Sequence, residues 1–218
     1  MTKRKAKVPV SEEFQAACSL WQMEFAFHSF QAVRAGIDHL LERKLHSDEP
    51  EYYPLCVGII CLYARPFTNN RPVGPLTKDI IPEEYLNLHR DIITLRNQLF
   101  AHVDASVMTR PDDYPNELVL INDGKTFHFI ITPFFAEPPF FKAISPLVDE
   151  LIKETDYHKD KLVKEFYRDF GLPKDIGEFR LNVVDAAAPI FSKQTEAEKT
   201  TWEATIRPRP KMKSRRKR

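Results

Sequence analysis

Apolar residues recur at helical spacing in four stretches of the chain and at alternating spacing in a fifth, a pattern that predicts a helical bundle carrying a small β-hairpin. The first stretch opens at Ser11, a good N-cap, with Glu12 and Glu13 placed favourably against the helix dipole, and predicts a helix to about Lys44. Leu20, Trp21, Phe25, Phe27 and Phe30 lie around much of its circumference, as in a central bundle member. Ser47, Asp48, Glu49 and Pro50 break it. A short second helix follows from Tyr53 to Arg65, whose apolar run from Leu55 to Leu62 leaves no polar face and predicts cover on most sides.

A long loop through Arg71, Gly74 and Pro75 leads to a third helix over residues 82–106, with Pro82, Glu83 and Glu84 in its first turn. Leu118 to Ile121 and Thr126 to Ile131 then flank an Asp123-Gly124 turn, which predicts a hairpin at about 117–132. A hairpin alone is marginal in water, so it should lie against the bundle or pair across a dimer. Ser145 and Pro146 open a fourth helix, stopped after Phe170 by Gly171 and Pro173. The expected fold class is therefore all-α, with four main helices and one hairpin insertion. Residues 1–10 form a basic arm and 11–173 the bundle, followed by a weakly patterned extension over 174–206 and a basic, disordered tail over 207–218.

Charge sharpens this division. Formal net charge is only +1, but four of the 32 basic residues fall in the first seven positions and eight in the last twelve. The remaining 20 face 31 acidic residues, so residues 8–206 carry about −11. A globule of that sign repels nucleic acid unless positive charge is focused locally, and the tails are one source of attraction.

Cys18, Cys56 and Cys61 form neither a disulfide framework nor a zinc pattern and read as small buried hydrophobes. No metal-ligand spacing, Walker loop, dinucleotide fingerprint or serine-hydrolase elbow occurs, so neither a metal nor a cofactor is expected. The basic N-terminus lacks the apolar run of a secretory signal, and Leu55 to Leu62 falls far short of the ~20 residues that span a bilayer. A cytoplasmic protein with no membrane partner is expected.

The third helix carries the chemistry. With Arg96 at zero and about 100° per residue, Ile92 falls near −40°, Phe100 near +40° and Val103 near −20°, so a guanidinium starts from the middle of the apolar stripe. It keeps its charge, and desolvating it unpaired costs several kcal/mol, on the order of ~5. Two anions meet that requirement: a carboxylate of the same fold, for which Glu24 is best placed, or a phosphate brought by a ligand. His89 lies near +20° on the same stripe, and His102 near −120° at its edge. Arg65 and Arg71 flank the long loop and are candidates to border a phosphate site.

The run Arg96, Asn97, Gln98, Leu99, Phe100, Ala101, His102 resembles the motif of the HEPN superfamily: an arginine, usually followed by a polar residue, then a histidine four to six residues later near the end of a long helix. The likeness covers residues 12–106 and a later helix. Some members carry a tyrosine two residues after the histidine, where this chain has Asp104. The resemblance implies a helical bundle that dimerises through the motif helix, and a metal-independent endoribonuclease of a toxin–antitoxin or antiviral defence system, with RNA as substrate and an antitoxin or regulatory protein as partner. It implies His102 as acid or base, Arg96 as phosphate clamp and Asn97 as orienting residue, with His89, Arg65 and Arg71 as further substrate-binding candidates. Those roles suit the side chains, since an imidazole titrates near neutrality and a guanidinium matches phosphate oxygens. The alternative is a non-catalytic helical module that binds a protein partner or a nucleotide, with Arg96 paired to an acid and His102 capping a helix end.

Overall fold

A computed structural model describes residues 11–70, 73–97, 118–122, 124, 126–131, 136–171, 173–174 and 179–193. Four α-helices are present among them: α1 (Glu12–Glu42), α2 (Tyr52–Ala64), α3 (Leu86–Leu95) and α4 (Pro138–Phe170). Strands β1 (Leu118–Asn122) and β2 (Phe127–Ile131) form one antiparallel hairpin, and β3 (Phe179–Leu181) and β4 (Phe191–Lys193) a second. The helical bundle with a hairpin is thus the observed architecture. No described helix is long and apolar enough to cross a membrane.

α1 begins as its sequence dictates. The Phe14 N–H donates to Ser11 Oγ at 3.2 Å, and Glu12 and Glu13 occupy the first turn. Its end is set by Lys44, which adopts φ +52°, while the Leu45 N–H returns to the Leu40 carbonyl at 3.1 Å and buries the Leu45 side chain. This is a Schellman ending with lysine where glycine is usual. Ala26, Phe30, Val33, Ile37 and Leu40 are buried along one stripe of α1.

α4 packs antiparallel along α1: Arg34 reaches Asp149, Glu24 reaches Lys159, and Phe14 shares a cluster with Phe166. It starts about two turns earlier than the Ser145-Pro146 signal predicts. Pro138 and Pro139 occupy its first turn, where no amide donor is needed, and Phe141 and Ile144 extend the buried stripe ahead of Leu147, Val148 and Leu151. Pro146 lies inside the helix. Ser145 accepts a hydrogen bond from Arg34 and so ties α4 to α1 rather than capping anything.

α2 is sunk in the core, with Tyr52, Cys56, Ile59, Ile60 and Tyr63 buried. The Tyr52 hydroxyl donates to the Ala136 carbonyl at 2.7 Å, pinning the segment that leads into α4. Phe30 of α1, Tyr63 of α2, Phe67 and His89 of α3 form a chain of ring contacts that locks three helices together.

The first hairpin pairs Asn122 with Phe127, which leaves four residues between the strands, as many as lie between the expected strand ends Ile121 and Thr126, with both ends one residue later. Gly124 does take a positive φ, +82°. How the faces of this hairpin are covered lies outside the described side chains. The 174–206 extension, read as weakly patterned, contains β3 and β4. Val183 and Ile190 pack with Phe14, Ala17 and Phe166, so this segment closes one end of the α1–α4 pair. Asn182 organises the connection: its amide donates to the Asp185 carbonyl at 2.7 Å, and its Oδ1 accepts from the Val184 and Asp185 amides at 3.1 and 3.2 Å. The basic arm and the basic tail lie outside the described residues.

Candidate functional site

The third helix is shorter in its described part than the 82–106 prediction. Pro82 precedes a 3-10 turn, Glu83–Tyr85, and the α-helix proper begins at Leu86. Arg96 follows its last residue, with helical dihedrals of −57° and −47° and its amide shared between the Ile92 and Ile93 carbonyls. Arg96 and Asn97 run on in a π-helical turn, where the helix widens. Residues 98–117, and with them His102, lie outside the described residues, as does Arg71.

Arg96 is half-buried, and its Nη1 donates to the Asn97 side-chain oxygen at 2.8 Å. Among the described residues it has no carboxylate partner. The expected pairing with Glu24 does not occur: Glu24 bonds His28 one turn along α1, at 3.0 Å, and approaches Lys159 of α4 at 3.9 Å. The reason is which way the face turns, since Glu24 stands on the side of α1 that meets α4, whereas α3 packs against α2. Arg96 instead directs its charge toward α2, where it offsets part of the upward push that burial gives the Cys61 thiol.

His89 is buried, at 2% exposure, as its place on the stripe predicts. Its Nδ1 lies 3.0 Å from the Tyr63 hydroxyl, while its Nε2 is buried with no hydrogen-bond partner among the described residues. Burial, reinforced by the nearby Lys78 ammonium, lowers the imidazole pKa to about 4, so the ring is neutral at physiological pH. The same burial raises the Tyr63 phenol, which keeps its proton. That proton has no described acceptor other than His89 Nδ1. The phenol therefore donates to Nδ1, and the neutral ring carries its own hydrogen on Nε2. His89 thus presents a buried N–H donor lacking an acceptor, a costly arrangement that native interiors seldom keep.

A cleft of about 300 Å³ opens at this histidine. Ala64, Phe67 and Ile93 give it apolar walls, and Lys78, Arg90 and Asn97 bring polar groups to it. His89, Ile93 and Asn97 sit four residues apart on one helical row, as do Arg90 and Thr94, so α3 supplies one whole side. Lys78 comes from the 3-10 turn Lys78–Ile80. Both Lys78 and Arg90 are exposed and without an ion pair among the described residues. Asn97 joins the two halves of the region, lining the cleft while its Oδ1 holds Arg96.

Of the substrate-binding candidates, His89 lies in this cleft and Arg65 does not. The Arg65 guanidinium stacks over the Phe25 ring, 5.0 Å from its centroid, and its carbonyl accepts from Thr68 and Asn70. The sequence reading missed Tyr63, Phe67 and Lys78. Tyr63 closes an unbroken apolar run and Lys78 stands in a loop, so neither carries a local signal of its partnership with His89. Among the described residues no group of three or more His, Cys, Asp or Glu side chains is placed to hold a metal ion. Comparison with protein-family models, with curated proteins and with solved structures finds no match to this chain.

Proposed function

We propose that the protein is a metal-independent endoribonuclease of HEPN type, acting as a homodimer. Arg96 clamps the phosphate, Asn97 orients it, and His102 transfers the proton at the ribose hydroxyl or the leaving oxygen. One observation carries the reading: a permanent cation set on an apolar stripe has no described carboxylate to neutralise it, and the acid best placed to do so is engaged elsewhere. An arginine held by a neutral amide keeps its full charge for an incoming phosphate. The exposed Lys78 and Arg90 add positive charge on the cleft that Asn97 lines, in a chain whose residues 8–206 are acidic overall. A defence or toxin–antitoxin setting, with an antitoxin as partner, is what the family likeness implies.

The test is cleavage of labelled RNA by the purified chain in EDTA, beside Arg96→Ala and His102→Ala. Loss of cleavage in both variants, with the fold retained, is the expected result. Equal cleavage by all three removes the proposal. The second reading, a bundle that binds a nucleotide or protein without cleaving, is favoured by the charge of about −11 over residues 8–206 and by a His89 too acidic to act as a proton donor near neutrality.

A further inference from the structure

We infer that the cleft at His89 is a recognition site for a single uridine-type nucleotide: the buried Nε2–H donates to a base carbonyl, the ring packs on the Phe67 side, and Lys78 and Arg90 hold the phosphate at the mouth. The assignment rests on the RNA-binding part of the proposed function and not on its cleavage chemistry.

Three features lead to it. Of the polar side chains that line the cleft, His89 is the buried one, and it carries a neutral donor, so its complement is an acceptor without any need of charge; a base carbonyl is such a group. Its flanking walls, Ala64, Phe67 and Ile93, are apolar and suit a flat ring, which aromatic side chains bind by stacking. The two cations that line the cleft, Lys78 and Arg90, are exposed and have no ion pair among the described residues, so a phosphate there can stay partly solvated. Size narrows the choice further. A volume of about 300 Å³ is at the floor of the range for ligand sites, which favours one pyrimidine nucleotide over a purine or a dinucleotide. Uracil offers a carbonyl on either side of its ring N–H, so either edge position supplies the missing acceptor.

The site also explains its own cost. A buried N–H with no acceptor destabilises the free protein, and bound uracil would relieve that penalty, so the donor discriminates strongly against ligands that lack an acceptor at that depth.

The test is titration of the full chain with UMP, followed by calorimetry and by long-range ¹H–¹⁵N spectra of the histidine rings. In the free protein His89 should show the Nε2–H tautomer, and its Nε2–H resonance should move on adding UMP. Uridine and inorganic phosphate should each bind at least tenfold more weakly than UMP. Combined Lys78→Ala and Arg90→Ala, both at exposed positions, should weaken UMP at least tenfold while leaving the His89 tautomer unchanged. A uridine hexanucleotide that binds more tightly than UMP makes RNA the source of the nucleotide, and equal binding makes it the free nucleotide. An Nδ1–H tautomer, or no movement of His89 with either ligand, overturns the inference. Arg96→Ala separates the two proposals: it should abolish cleavage and leave UMP binding within about twofold, whereas UMP binding with no cleavage by the parent chain removes only the nuclease.

Discussion

Acid should destabilise this protein through one residue, His89, by an amount the structure sets. The imidazole has its ordinary value of 6.5 when the chain is unfolded and about 4 when buried beside Lys78. Above pH 6.5 both states are neutral and the group contributes nothing to the pH dependence. As pH falls below 6.5 the unfolded chain takes up a proton that the folded chain refuses, so stability falls by about 1.4 kcal/mol per pH unit. The loss levels off below pH 4, where both states are protonated, after a total of roughly 3 kcal/mol. For a domain stable by ~5–15 kcal/mol this is a large share. The clean comparison is with Tyr63→Phe combined with His89→Phe, which removes the titrating ring and its partner together, leaving neither Tyr63 nor His89 polar atoms stranded. Urea unfolding at pH 7, 5.5 and 4 measures both proteins. The parent should lose about 3 kcal/mol more than the double variant over that range. Equal losses would show that His89 is not held neutral by burial, and the reasoning about its unfilled N–H would go with it.

Three variants test the rest of the structure. A Cβ added at Gly36 would stand 2.9 Å from Ile59 Cγ1, so Gly36→Ala should destabilise by about 1–3 kcal/mol through overpacking between α1 and α2, read as a lowered urea midpoint. Asn182→Ala removes the side chain that organises the β3–β4 connection and should raise amide exchange across residues 179–193, with a cost of about 1–2 kcal/mol to that segment and little effect on exchange in α2. Arg96→Ala should change stability by less than about 1 kcal/mol, since no described carboxylate is left unpaired by it, in contrast to the ~3–5 kcal/mol of a broken buried ion pair. Because Arg96 partly offsets the raised Cys61 thiol, the same variant should slow alkylation of Cys61 at a fixed pH.

The parts of this fold that local chemistry decides were legible in the chain. Ser11 with Glu12 and Glu13 marks the start of α1, the unbroken apolar run of α2 announces burial, and Asp123-Gly124 announces a hairpin. The parts that distant residues decide were not. Pro138 and Pro139 look like linker residues until the stripe behind them finds α1 to pack on, and only then does their lack of amide donors mark a helix start. β3 and β4 are three residues each and depend on Asn182, on Phe166 of α4 and on Phe14 from the far end of the sequence. At the site, helical geometry correctly put His89 on the buried stripe, but the choice between a satisfied core histidine and a binding group turned on Tyr63, 26 positions away, which satisfies one ring nitrogen and not the other. The same geometry put Arg96 on the stripe and misassigned its partner, because a helical wheel orders the faces of one helix and says nothing about which neighbour each face meets.

The cluster that joins Phe14 and Ala17 to Val183 and Ile190 has a consequence for how the molecule is made. Contacts between segments so far apart in sequence raise contact order and carry the closure entropy of a very long loop, which slows folding. During synthesis the opening turns of α1 emerge with Phe14 bare, and the buried residues that cover it, Phe166, Val183 and Ile190, are made only late in the described chain. A nascent chain halted after α4 would expose an oily end, so the late-made β3–β4 segment works as a clasp on the α1–α4 pair.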